Sequence, residues 1–230
     1  MTLEELKQEF DIEKTPDGLI IKKWCGRGDH CVIPGGMGIT GIGENAFNGC
    51  DKLTDIMIPD SVITIGDRAF YWCDNLTEIT IPDSVTSIGE RIFENCSGLI
   101  SVYIGNGLTR ISRCTFLGCK SLIKVHIGSS VTDIGGAAFR ECSSLTEISL
   151  PDSVASIGEG AFLDCSSLTK IIIPKNITRI GNRAFSWCSD LTEITIPDGV
   201  NGIGEEAFEH CSELKEITIP GSVTTIGSGA

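Results

Sequence analysis

The sequence predicts a repeat solenoid: a right-handed array of 23-residue turns, mostly short β-strands with 3₁₀ or short helical pieces, and a parallel strand wall. Three observations predict it. Cysteines recur at Cys50, Cys73, Cys96, Cys119, Cys142, Cys165, Cys188 and Cys211, each 23 residues after the last. Phenylalanines keep the same step at Phe47, Phe70, Phe93, Phe116, Phe139, Phe162, Phe185 and Phe208. Finally, each unit is too small to bury an apolar face alone, so neighbouring turns must stack and share one core. Stacking at ~4.8 Å per turn gives a rod of about nine coils, roughly 40 Å long.

The elements follow in chain order. Residues 1–30 read as an N-terminal cap, a short helix plus a hairpin. Thr2 and Glu5 form a T-x-x-E capping box, and Leu3, Leu6 and Phe10 share one helical face. TPDG at 15–18 is turn chemistry, and LIIKKW at 19–24 reads as a strand. The array spans 31–230, with seven full repeats over 53–213 and partial ones at both ends.

In the turn Leu145 to Ser167, Ile148 and Leu150 alternate around Ser149, a period-2 strand signal. Pro151 cannot donate to a ladder and ends the strand. Asp152-Ser153 makes a turn, and Val154 and Ile157 point back inward. Gly158 is expected to supply a bend with positive φ, and Ala161-Phe162 a short helical or 3₁₀ piece on the opposite wall. Departures fall at 99–130. There Gly105 and Gly128 replace the proline and Ser112 replaces the glycine; Ile92, just before, and Thr115 replace the alanine before Phe.

The pattern L-x-x-I-x-I-P-x-x-V-x-x-I-G-x-x-A-F-x-x-C, seen in IPDSVTSIGERIFENC at 81–96 and IPDGVNGIGEEAFEHC at 196–211, resembles the BspA-type (Treponema-type) leucine-rich repeat family. The resemblance covers roughly 31–230. It implies a leucine-rich-repeat solenoid acting as a non-catalytic binding module, a protein-interaction or adhesion scaffold. By the same resemblance the expected location is the cell surface of a bacterium, or its secreted fraction.

Composition narrows the partners. A net charge of −13 disfavours nucleic acid and anionic lipid, both of which need a positive footprint. No apolar run approaches the length of a membrane span, so no membrane insertion is expected. The acidic start MTLEELKQEFDIEKTPDG lacks the apolar stretch of a secretory signal, which keeps a cytoplasmic scaffold, or a spacer array carrying another domain, as alternatives. The pattern stops at IGSGA, where it calls for Phe, so a truncated or unusual end is expected. Apolar Ile217, Ile219, Val223 and Ile226 there form an edge that invites end-to-end self-association through the C-terminal coil.

No catalytic, cofactor or metal site is expected. His30, His126 and His210 lie far apart along a rod. No G-x-S-x-G, P-loop or H-E-x-x-H pattern occurs. A linear column of cysteines cannot converge tetrahedrally on zinc, so the repeated thiols read as a packed column. Cys114 is off that column beside Arg113, and Cys25 and Cys31 near the cap would bridge only in an oxidising compartment. Arg27-Gly28-Asp29 is a three-residue match to an integrin-read tripeptide and reads as cap loop.

The strand wall presents a rigid binding face. One outward column runs Met57, Thr80, Tyr103, His126, Ser149, Ile172, Thr195, Thr218, and its neighbour Asp55, Glu78, Ser101, Lys124, Glu147, Lys170, Glu193, Glu216. Ile100, Tyr103, Lys124, His126, Lys170 and Ile172 interrupt a Thr/Glu background with apolar, aromatic and basic groups. Aromatic residues are favoured interface anchors, so these six are the candidate residues for a protein or glycan ligand, with Tyr103 and His126 at the centre.

Overall fold

The computed structural model describes residues 2–230 and shows a β-solenoid of about nine turns with roughly 23-residue spacing. The N-terminus is helix α1 (Leu3–Glu9) followed by an antiparallel hairpin, β1 (Phe10–Thr15) and β2 (Gly18–Trp24). The capping box is closed in both directions: the Glu5 N–H donates to Thr2 Oγ1 at 3.2 Å, and the Thr2 N–H donates to Glu5 Oε2 at 2.7 Å. Leu6, Phe10, Ile21 and Trp24 are buried, whereas Leu3 is exposed. The hairpin joins the array by adding β2 in parallel beside the strand Ile39–Ile42.

Each coil then has three walls. The first is the expected strand wall, from His30–Val32 through Glu193–Thr195. The second was not legible in the sequence: two-residue strands such as Ser156–Ile157 pair in parallel, coil on coil, out to Thr225–Ile226. The third wall, expected as a short helical piece, is instead a run of turns. Its N–H groups alternate in purpose. Those of Gly160, Phe162 and Asp164 donate to Asn182, Ala184 and Ser186 of the next coil at 2.8–2.9 Å, while those of Ala161, Leu163 and Cys165 close turns within their own coil. A helix would spend every N–H internally and leave the coils unlinked on this side.

Alternation demands left-handed residues, and here the glycine expectation needs correcting. Gly158 does not have positive φ. It is required because a Cβ there would sit 2.6 Å from the backbone nitrogen of Gly136 in the preceding coil. Positive φ falls two residues later, at Arg68, Arg91, Ala137, Gly160 and Arg183, and again at Trp72, Asn95, Glu141, Asp164 and Trp187, mostly non-glycine positions. Left-handed backbone costs an L-residue about 1–2 kcal/mol, so the inter-coil ladder overrides local preference.

Inside, the eight phenylalanines form one column whose neighbouring rings lie 5.0–5.6 Å apart, started by Trp24 at 5.8 Å from Phe47. Burying each such side chain stabilises by about 1.5–3 kcal/mol. Beside it runs the thiol column. From Cys73 to Cys211 each Sγ donates to the carbonyl of a phenylalanine 26 residues earlier, at 2.9–3.2 Å. All eleven cysteines are free, Cys25 exposed and Cys31 buried. Burial pushes Cys119, Cys142, Cys165 and Cys188 well up, Cys211 to about 11 and Cys50 to about 12. Burial also raises Cys114, outweighing the opposite pull of Arg91 and Arg113. These are packing thiols, unsuited to nucleophilic work at neutral pH.

Neither strand wall is continuous. The first splits into three ladders, between Asp55–Met57 and Glu78–Ile81 and again between Lys124–His126 and Glu147–Ile148. The second breaks between Ser87–Ile88 and Arg110–Ile111. At that break Ser112 stands where other coils have glycine, and its hydroxyl, not its N–H, donates to Ile88 O at 2.9 Å. At the corresponding step of a regular coil the Gly158 N–H donates to Ile134 O at 2.8 Å. Ser112 carries a Cβ at this step, and its side chain supplies the bond to Ile88 that a backbone N–H makes in regular coils.

Candidate binding face

Four of the six candidate residues come together. The strands Ser101–Ile104 and Lys124–His126 pair in parallel with Tyr103 opposite His126. A pleated strand sends both side chains to the outer face. There the rings stack with centroids 4.5 Å apart and planes within 8°. Tyr103 is 43% exposed and Ile100 44%. Lys124 lies on the same strand as His126, two residues earlier, and is likewise exposed.

Sequence reasoning missed Ile123, which is 46% exposed directly beside Ile100. Its signal was available. The column Thr54, Thr77, Thr146, Thr169, Thr192 is threonine on either side of Ile100 and Ile123. In the regular part these threonines are satisfied, as Thr169 and Thr192 each donate a hydroxyl to the carbonyl of the threonine below at 3.1 Å. The isoleucines give up that bond and present apolar surface.

A groove of about 480 Å³ lies over the three strands Ser101–Ile104, Lys124–His126 and Glu147–Ile148. Tyr103, Ile123, Lys124, His126, Glu147 and Ser149 line it. It sits on the break in the first wall. Glu147–Ile148 is only two residues long, and Ser149-Leu150 occupies the place of Thr80-Ile81 or Thr195-Ile196. Serine and leucine fit a pleated surface less well than β-branched residues, in keeping with a strand that ends at Ile148 and ladders only with Lys170–Ile172 on its far side.

Lys170 and Ile172 stand apart from this groove, on the strand beyond Glu147–Ile148. Ile172 is 68% exposed. Lys170 is tied to Glu193 on the next strand at 2.7 Å. Across the break, Lys124 and Glu147 lie in the same column with the same 23-residue separation, yet they form no ion pair among the described residues. The break leaves Lys124 without a partner beside the groove.

The other histidines lie elsewhere. His30 is bonded to Asp55 in the first coils at 2.8 Å, and His210 packs on exposed Trp187, ring centroids 4.0 Å apart. No helix among the described residues is long and apolar enough to cross a membrane.

The family model described as the BspA type leucine rich repeat region matches residues 24–145 and 109–230, in six copies. The chain belongs to this family. It is similar to a solved leucine-rich repeat protein from Eubacterium ventriosum at 28% identity and a TM-score of 0.70, over 77% of this chain and 50% of that one. The chain thus spans half the length of that relative. The leucine-rich repeat protein of T. pallidum is also 28% identical, with a TM-score of 0.62, over 91% of this chain and 89% of that one. A leucine-rich cell surface protein from Faecalibacterium prausnitzii matches more loosely, at 24% identity and a TM-score of 0.43, over 96% and 93%. No curated protein matches. Repeats of this family serve generally as non-catalytic scaffolds for protein interaction.

Proposed function

We propose that this array is the binding module of a bacterial surface or secreted protein, and that its contact centres on Tyr103 and His126 with Ile100, Ile123 and Lys124 around them. One observation carries the reading. In two neighbouring coils all three outward columns leave their background together: Thr to Ile100 and Ile123, Glu to Ser101 and Lys124, Thr to Tyr103 and His126; elsewhere, as at Met57, Ser149, Lys215 or Lys170 with Ile172, only one or two do. A groove lies over that place. Independent drift in the three columns would seldom coincide in both of two adjacent coils. An exposed tyrosine stacked on a second ring with apolar neighbours suits an interface centre, where a few residues carry most of the affinity.

The test is binding of labelled protein to immobilised host surface proteins and to a glycan array, comparing wild type with the Tyr103→Ala/His126→Ala double variant. Both side chains are exposed, so the fold should survive. A loss of at least about tenfold is expected. Equal binding by wild type and variant rules this face out.

A further inference from the structure

We infer that the groove takes a protein segment presenting a carboxylate next to an apolar side chain, the carboxylate meeting Lys124 and the apolar group lying on Ile100 and Ile123. This rests on the reading of the face as a protein contact. The charge pattern selects the partner. Along the first wall, Asp55, Glu78, Glu147, Glu193 and Glu216 are acidic, and only Lys124 and Lys170 are basic in that column. Lys170 is neutralised by Glu193 at 2.7 Å. Lys124 forms no ion pair among the described residues, and its strand is not laddered to that of Glu147. The second groove on this wall, about 330 Å³ over the other break, has Asp55 and Glu78 on its rim and would repel an acidic segment. The groove over Lys124 also has Glu147 on its lining, but it alone of the two grooves sets an ammonium group without an ion-pair partner beside apolar surface, and there a segment carboxylate can meet a cation. Placing unlike charges together and like charges apart fixes register and partner choice more than it adds affinity.

Selection of a random peptide display library on immobilised protein tests this. Peptides retained by the wild type should carry Asp or Glu beside Leu, Ile, Val or an aromatic residue. Their affinity should fall about tenfold in Lys124→Glu, a substitution the column already tolerates at Glu78, Glu147 and Glu193. Lys170→Glu, in the same column but outside the groove, should leave them unchanged. Selected peptides without an acidic residue, or acidic peptides that bind Lys124→Glu as well as wild type, overturn the inference. Peptides lost in Tyr103→Ala but indifferent to Lys124→Glu would remove this inference and leave the binding face standing. Peptides indifferent to both, or no enrichment at all, would remove both.

Discussion

Two places on the first wall carry the same residues in the same register and end differently. Lys124 precedes Glu147 by 23 residues, and Lys170 precedes Glu193 by 23, all in one outward column. The second pair closes at 2.7 Å across laddered strands. The first pair stays open across the break. Side-chain chemistry is identical, and the two pairs differ in whether their strands are laddered. The paired strands hold neighbouring coils at ladder spacing and bring the charges into reach. Where the ladder stops, the same lysine becomes a free cation beside apolar surface. The array thus creates an individual site by interrupting its own regularity.

The comparison can be broken most forcefully from the second wall. Ser112 marks its break, whereas Gly158 keeps a regular coil closed. Copying the serine to the regular coil as Gly158→Ser places a Cβ 2.6 Å from the Gly136 nitrogen, against backbone that cannot rotate away. We expect a loss of about 2–3 kcal/mol in denaturant unfolding, with Tm lower by several degrees. An unchanged midpoint would mean that these coils part as easily as those at Ser112, and that the break is not set by the residue.

A smaller effect sharpens the comparison on the binding side. Restoring the regular pattern with Ser149→Thr/Leu150→Ile should lengthen the strand Glu147–Ile148 and let it pair with Lys124–His126. The gain in stability should be about 0.5 kcal/mol, within the spread of strand preferences. The informative readouts are slower amide exchange at 146–149 and a several-fold weaker grip on acidic peptides, as Glu147 takes up Lys124. Faster exchange, or tighter peptide binding, contradicts the link between the break and the free lysine.

The first wall and the buried cysteine and phenylalanine columns were legible because each rests on a long, strict repetition, and the capping box because T-x-x-E is a self-contained local signal. The second wall was hidden by its brevity, since two residues such as Ser156–Ile157 are too few to show a period. The left-handed residues were hidden for the opposite reason: nothing about Arg183 or Trp187 favours positive φ, and only bonds between coils impose it. At the candidate site Tyr103 and His126 could be paired from register alone. Ile123 required comparison within the threonine column, and the isolation of Lys124 required the broken ladder, a property of stacked coils.

The smallest effect separates the two lysines directly. Lys170→Ala removes an exposed ion pair and should lower Tm by about a degree, less at high salt, while Lys124→Ala should leave Tm alone. Their pH dependence should differ in the same sense. The hydrogen bond and charge of Lys170 hold the Glu193 carboxyl below its ordinary value of 4.5. A carboxyl depressed in the folded state stabilises above its unfolded value and loses that contribution as pH falls through the folded one. The gap between wild type and Lys170→Ala should therefore be complete at neutral pH and shrink below about 4.5, whereas Lys124→Ala should track wild type throughout. A matching acid-sensitive gap for Lys124→Ala would show that Lys124 does reach Glu147 in solution, and the distinction between the two sites would disappear.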